Sequence, residues 1–274
     1  MSDAPLDPTE LLELAVAAAR SAGAFLLDSR PKELEVTTKS TPTDVVTEMD
    51  IAAERRIAAT IRASRPFDVI LGEEGQSREA RPPDVEAGPR VRWIVDPIDG
   101  TVNYLYGLPQ WAVSIAAEID GVVEAGAVFD PSKAELFTAV RDGGAHLNGR
   151  AIVVSRCDVL SQALVCTGFG YDADRRSAQA RVLLEVLPLV RDIRRLGAAS
   201  LDLCALACGR LDGYYERGLN LWDYAAAGLV ASEAGALVGG LGGGPASGEL
   251  LVATNPGLFD ELAGLLAKLG ADSD

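Results

Sequence analysis

Between Asp68 and Val140 the chain is a succession of short apolar runs punctuated by turn residues. Residues 69–71, 93–95, 111–119, 122–129 and 135–140 are rich in β-branched and aromatic side chains, and this pattern predicts strands. Gly107, Gly121, Pro131 and the Gly143-Gly144 pair supply the turns between them. A sheet of such strands has to be covered, and the flanking segments read as helices that cover it.

Asp7-Pro8-Thr9-Glu10 has the form of a helix start, with aspartate as cap and proline in the first turn. The spacing predicts a helix from there to about Ser29, stopped by Pro31. A second helix is expected after Thr47, carrying Ile51, Ala52, Ile57, Ala58 and Ile61 at helical spacing and ending near Arg65-Pro66. The polar, proline-bearing stretch between Gly75 and Arg90 reads as a surface loop.

Beyond Arg150 strand-like and helix-like segments alternate. Strands are predicted at 152–154, 164–167, 193–196 and 211–215, near Leu237, and at 250–253. Helices are predicted over 175–190, 200–208 and 222–233, with a last one after Asn255-Pro256. GGLGGGPASG (239–248) reads as a flexible turn between strands. The expected architecture is mixed α and β in layers, with an N-terminal part over 1–150 and a C-terminal part over 151–274.

Several chemistries are excluded. His146 is the sole histidine, so there is no HExxH zinc site, and a Ser/His/Asp triad is disfavoured. Cys157, Cys166, Cys204 and Cys208 form no CxxC pair and read as buried thiols. The glycine-rich segment lacks the lysine of a phosphate-binding P-loop, and there is no GxGxxG. A net charge of −15, from 40 acidic against 25 basic residues, argues against direct binding to a nucleic-acid backbone. The first residues lack the pattern of a secretory signal, and no apolar run is long enough for a bilayer, so a cytoplasmic protein is expected.

The chemistry lies in the carboxylates that recur where apolar runs stop: Gly72-Glu73-Glu74, Asp96-Pro97-Ile98-Asp99 and Asp223. Taken singly, these are loop charges, turn residues and a helix cap. Together they point to a cation, because two like charges about 4 Å apart repel by roughly 4 kcal/mol at an effective dielectric near 20. Mg2+ suits such a site, since it takes oxygen ligands and leaves positions for water and phosphate. Gly100-Thr101 then opens a short helix whose free N–H groups suit a phosphate. The two aspartates are three positions apart, one more than the nucleophile motif of haloacid-dehalogenase-type phosphatases requires.

The chain resembles the inositol monophosphatase family of magnesium-dependent, lithium-sensitive phosphatases. The blocks that carry the likeness are KSTPTDVVTEMD (39–50), GEE (72–74), WIVDPIDGTVNY (93–104), RRLGAASLDLCALACGRLDGYYE (194–216) and WDYAAAG (222–228). The resemblance implies an α+β fold, a layered αβαβα sandwich of the inositol monophosphatase and fructose-1,6-bisphosphatase type. It implies two or three Mg2+ ions held by Glu73, Asp96, the Ile98 carbonyl, Asp99 and Asp223, with Asp96 bridging. Gly100 and Thr101 would contact phosphate, and Thr101 and Glu73 would orient or deprotonate the attacking water.

Asp50 corresponds to an acid behind the metal ligands, and Lys39 lies in the block that closes over them. Glu216 corresponds to a contact with sugar hydroxyls, and Gly197, Ala198 and Ala199 to a loop beside the substrate, to which Asp223 also reaches. Ala198 stands where relatives often have a hydroxyl residue, and Ala236 replaces a frequent glycine. The implied reaction is hydrolysis of a sugar or polyol phosphate, myo-inositol 1-phosphate first, by a homodimer that makes no phosphoenzyme. Histidinol phosphate, fructose 1,6-bisphosphate, NADP and adenosine bisphosphate remain alternatives, as does a role as partner of the transcription machinery.

Overall fold

The computed structural model describes residues 7–31, 34–39, 41, 44–75 and 91–273. In chain order the elements of the first part are α1 (Pro8–Asp28), β1 (Val36–Thr38), β2 (Val45–Thr47), α2 (Glu48–Ser64), β3 (Val69–Gly72), β4 (Val91–Asp99) and α3 (Thr101–Leu105). There follow β5 (Ala112–Ile119), β6 (Val122–Asp130), β7 (Glu135–Val140), β8 (Ala145–Leu147) and β9 (Arg150–Ala151). The rest comprises β10 (Leu164–Thr167), α4 (Ala173–Val186), β11 (Asp192–Arg194), α5 (Ala199–Ala207), β12 (Gly213–Glu216), α6 (Leu221–Glu233), β13 (Leu237–Gly239), β14 (Leu251–Thr254) and α7 (Phe259–Lys268).

Two larger sheets result. One has the order β3-β4-β5-β6-β7-β8-β9 and is antiparallel except for the β3–β4 pair. The other, β11-β10-β12-β14-β13, is parallel through its first three strands and antiparallel beyond. Alternation along the strands distributes their side chains between layers. Trp93, Val95, Val113 and Ile115 pack against Leu11, Ala15 and Leu26 of α1 and Ile57 and Ile61 of α2. Ile94, Ala116 and Val128 face the other way, onto α5 and α6, which also cover Tyr214 and Ala253 of the second sheet. Val165, Tyr215 and Val252 on that sheet's far side pack against Val182 and Val186 of α4 and Leu262 and Leu266 of α7. The layering is therefore helix, sheet, helix, sheet, helix.

Local signals act as their chemistry requires. Asp7 Oδ1 accepts a bond of 2.8 Å from the Thr9 amide and caps α1. Thr47 caps α2 in a capping box, with Thr47 Oγ1 accepting from Met49 N at 3.2 Å and Asp50 Oδ2 accepting from Thr47 N at 2.8 Å.

Three expectations are corrected. Of the four cysteines read as buried, Cys166 and Cys204 are, whereas Cys157 and Cys208 are half-buried. No strand forms over 152–154; the last strand of the first sheet is Arg150–Ala151. The helix expected over 175–190 begins earlier, at Ala173, because Asp172 caps it, and ends at Val186. A 3-10 turn, Leu187–Leu189, follows, since Pro188 offers no amide to continue the α-helical ladder. Segment 239–248 joins β13 to β14 and includes a 3-10 turn, Leu241–Gly243. The loop expected after Gly75 falls largely on 76–90, outside the described residues.

Candidate active site

Asp96 and Asp99 come from the end of β4. Three steps along a regular strand place two side chains on opposite faces, yet these two belong to one site. The reason is a β-bulge: Asp96 pairs with Ser114 and Asp99 with Ala112, so one extra residue of β4 is accommodated between them. Pro97 sits in the bulge, where a ladder N–H is dispensable. The Ile98 amide donates to Asp96 Oδ1 at 3.0 Å and fixes the turn.

The chain then enters α3 through Gly100, whose φ of 91° lies in the left-handed region. A Cβ there would stand 2.9 Å from the Gln110 carbonyl oxygen and 3.2 Å from Ala198 Cβ, so glycine is required for conformation and space alike. Thr101 Oγ1 lies 3.0 Å from Asp50 Oδ1 and 3.0 Å from the Ile98 carbonyl oxygen. Its one proton can go to either acceptor, which leaves oxygen lone pairs free to accept. Asp50 is fully buried, and burial, opposed by the bonds from Thr47, lifts its pKa to about 6.

Asp99 is held by the start of α5, with Ala199 N at 3.2 Å from Oδ1 and Ser200 N and Oγ at 2.7 and 2.5 Å from Oδ2. Asp223, in the first turn of α6, accepts from Asn220 N at 2.6 Å through Oδ2. Glu73 follows β3, and its Oε1 accepts from Lys39 Nζ at 2.8 Å; the same ammonium reaches Glu74 Oε1 at 2.5 Å. Beneath this turn the buried Glu54 accepts from the Glu74 amide at 2.7 Å.

Glu73, Asp96, Ile98, Asp99, Gly100, Thr101, Gly197, Ala199, Glu216 and Asp223 all line one cleft of ≈ 460 Å³, together with Lys39. Asp50 stands behind Thr101. Ala198 is buried against Gly100 and does not line the cleft, while the Ala199 amide is engaged by Asp99. Glu216 Oε2 accepts from Tyr214 Oη at 2.6 Å, and burial lifts the Glu216 pKa to about 7 against the opposing effects of Tyr214 and Arg195.

Burial raises the carboxyls of Asp96, Asp99, Asp223 and Glu73. Neighbouring acids add to the shift: Glu73, Asp99 and Asp223 on Asp96, and Asp99 and Glu73 on Asp223. Among the described residues only Glu73 of these four has a compensating cation, Lys39; burial is the largest single effect on that ammonium and opposes its charge, but Glu73 and Glu74 together outweigh it. Among the described residues no three His, Cys, Asp or Glu side chains close into a ready-made metal cage; the acids line a cleft instead. Carboxylate and carbonyl oxygens that destabilise one another's charge are donors suited to a hard cation such as Mg2+, so the residues fit that ion.

Residues that sequence reasoning passed over also build the site. Ser200 lies inside the block 194–216, yet nothing in its spacing marks it as a donor to Asp99. Arg175, Arg195 and Arg217 line the cleft as well; Arg195 and Arg217 flank the block's functional positions, whereas Arg175 carries no local signal.

A layered α+β fold thus gathers carboxylates from strand and helix ends in one cleft, and comparison with known proteins makes that cleft the site of a phosphatase. The chain belongs to the inositol monophosphatase family, whose model matches residues 7–271. It is 44% identical to inositol-1-monophosphatase of Mycobacterium bovis, over 96% of this chain and 95% of that one. It is 40% identical to the Nus factor SuhB of Pasteurella multocida, over 92% of this chain and 94% of the relative. The crystal structure of extragenic suppressor protein suhB from Bartonella henselae superposes with a TM-score of 0.86 at 35% identity, covering 94% of this chain and 99% of that one. The family is generally metal-dependent, usually on Mg2+. Among the described residues no helix is long and apolar enough to cross a membrane.

Proposed function

We propose that this protein hydrolyses a small phosphomonoester, myo-inositol 1-phosphate foremost, to the free alcohol and phosphate, by direct attack of water. The observation that carries this reading is the gathering of Glu73, Asp96, Asp99 and Asp223 in one cleft with Thr101 beside them. These four carboxylates and the Ile98 carbonyl would hold two or three Mg2+ ions. When bound, Mg2+ supplies the positive charge that neutralises phosphoryl oxygens and acidifies water.

The chain's own groups do the rest. Thr101 Oγ1, tethered to Asp50 or to the Ile98 carbonyl, presents lone pairs that orient the attacking water. Glu73 and Asp50, whose carboxyls burial raises in the ion-free cleft, would take the proton that the attacking water gives up. The start of α3 at Gly100 and Thr101 faces the phosphate, and Glu216 accepts from hydroxyls of the alcohol. Among the described residues no side chain in the cleft has the setting of an activated nucleophile, which favours a reaction without a phosphoenzyme.

Residues 1–150 and 151–274 work as one catalytic unit in this reading, so neither part expressed alone should turn over. By the same family likeness the protein is a cytoplasmic, lithium-inhibited homodimer. Light scattering reads the mass against 28.7 kDa for one chain, and Li+ titration of the activity reads the inhibition. A panel of inositol 1-phosphate, histidinol phosphate, fructose 1,6-bisphosphate, NADP and adenosine bisphosphate with Mg2+ orders the substrates; a clear preference for histidinol phosphate would sink the inositol reading. A second reading, partnership with the transcription machinery, draws on the relatives that carry the name Nus factor SuhB. It separates from the first if a turnover-dead Asp96→Asn chain still supports a transcription phenotype.

A further inference from the structure

Glu54, in the second turn of α2, is fully buried and does not line the cleft. A glutamate is almost never buried completely unless its oxygens are bonded. Here Oε2 accepts from the Glu74 amide at 2.7 Å. The carboxyl group also lies against Gly72, where any Cβ would collide with it. Both contacts fall on the Gly72-Glu73-Glu74 turn, one on each side of Glu73.

The turn needs such a hold. β3 is the edge strand of its sheet, so within that sheet only β4 pairs with it. The ladder ends with Gly72 opposite Val95, and one further bond, from Glu73 N to the Val95 carbonyl at 3.2 Å, carries the pairing past the strand. Segments with few backbone partners open most readily. The Glu74 amide is fastened to α2 instead, and a hydrogen bond to a carboxylate is roughly twice as strong as one between neutral groups. One turn earlier on α2, Asp50 Oδ1 lies 3.0 Å from Thr101 Oγ1. Residues four apart on a helix share a face, so α2 sets two buried acids beneath the cleft, one behind Thr101 and one behind Glu73. Lys39 Nζ donates to both Glu73 and Glu74, at 2.8 and 2.5 Å, so a shift of the Glu74 backbone would disturb that ammonium too.

We propose that Glu54 is a positioning residue for Mg2+: by fixing the Glu74 amide and the Gly72 backbone, it sets the Glu73 carboxylate for ion binding. This rests on the reading of Glu73 as an Mg2+ ligand. Groups that hold a metal's ligands in place change its affinity by about 10- to 100-fold when they are lost. Mg2+ is a demanding ion in this respect, since it tolerates little departure from octahedral geometry.

The test titrates Mg2+ calorimetrically, without substrate, into chelator-treated wild type, Glu54→Gln, Glu54→Asp and Gly72→Ala. Glu54→Gln keeps the length and an acceptor oxygen, and should bind Mg2+ within a few-fold of wild type. Glu54→Asp keeps the charge but draws the oxygen back from the Glu74 amide, and should bind about tenfold more weakly or worse. Gly72→Ala leaves Glu54 in the chain but crowds its carboxyl group, and should weaken binding likewise. In turnover the same factor should appear in the half-saturating Mg2+ concentration, while kcat at saturating Mg2+ changes much less. A role confined to stability would lower the melting temperature of the ion-free variants and leave their Mg2+ affinity unchanged; that result overturns the proposal. So does Glu54→Asp binding Mg2+ as tightly as wild type, or more tightly than Glu54→Gln. Should Glu54→Asp not fold, Gly72→Ala against wild type decides. No Mg2+ binding by the wild type sinks the proposal together with the metal reading, whereas intact Mg2+ binding without turnover of any phosphomonoester sinks the phosphatase reading alone.

Discussion

Thr101 Oγ1 stands 3.0 Å from Asp50 Oδ1, joining the first turn of α3 to the first turn of α2 across fifty-one positions of sequence. Asp50 is thereby shared: one oxygen completes the capping box of α2 and the other receives the threonine hydroxyl. The hydroxyl that faces the cleft is oriented by a carboxylate that itself does not.

Replacing Thr101 by alanine removes the oriented lone pairs and leaves the capping box intact. Activity with Mg2+ is expected to fall by roughly a hundredfold or more in kcat, with little change in KM and in melting temperature. Thr101→Ser, which keeps the hydroxyl, should retain most of the rate. Steady-state kinetics on the three chains checks this, and an unimpaired Thr101→Ala would remove Thr101 from the mechanism.

Asp96→Asn takes one charge out of the acidic set. Turnover is expected to drop by roughly a thousandfold, since several kcal/mol of charge stabilisation depend on the ion it would help hold. The ion-free protein should become no less stable, because a buried charge beside Glu73, Asp99 and Asp223 is relieved. Thermal melts with and without Mg2+ test both halves: wild type should be stabilised by the ion and Asp96→Asn much less so.

Glu216 gives a pH signature in stability. Its folded-state pKa, about 7, lies above the ordinary 4.5, so folding binds its proton more tightly than the unfolded chain does. The contribution is fully present below pH 4.5 and is lost as pH rises through 7. Glu216→Gln is therefore expected to be more stable than wild type by about 1–2 kcal/mol at pH 9 and nearly equal at pH 4. Urea unfolding at the two pH values decides it; a larger gain at pH 4 would contradict the assignment.

Gly100→Ala should destabilise by about 2 kcal/mol or more, because φ +91° strains any side chain and a Cβ would press on the Gln110 carbonyl. Activity should fall with it, since the same residue sets the path from Asp99 into α3. A chain with wild-type melting temperature and rate would show that the turn can relax.

Much of this was readable beforehand. The caps Asp7 and Thr47, the helices they start and the strands cut by glycine and proline are local matters, settled by side chains within a few residues of one another. The acids at the ends of β3 and β4 and at the start of α6 were equally visible as residues. The departures are local too: 152–154 has strand-like residues but no partner in a ladder, and Pro188 closes α4 earlier than its apolar spacing suggests.

By itself, then, the sequence determined the mixed α and β layering, the family and the roster of carboxylates. Tertiary structure decided how they meet. The bulge between Asp96 and Asp99 depends on the register with β5, which no local pattern encodes. The donation of Ala199 and Ser200 to Asp99 spans a hundred positions, and Arg175 meets Gly218 only once the loops that carry them are packed together. Short-range propensity reports what each segment prefers, whereas burial, register and the loss of water around a charge exist only once distant segments are packed together.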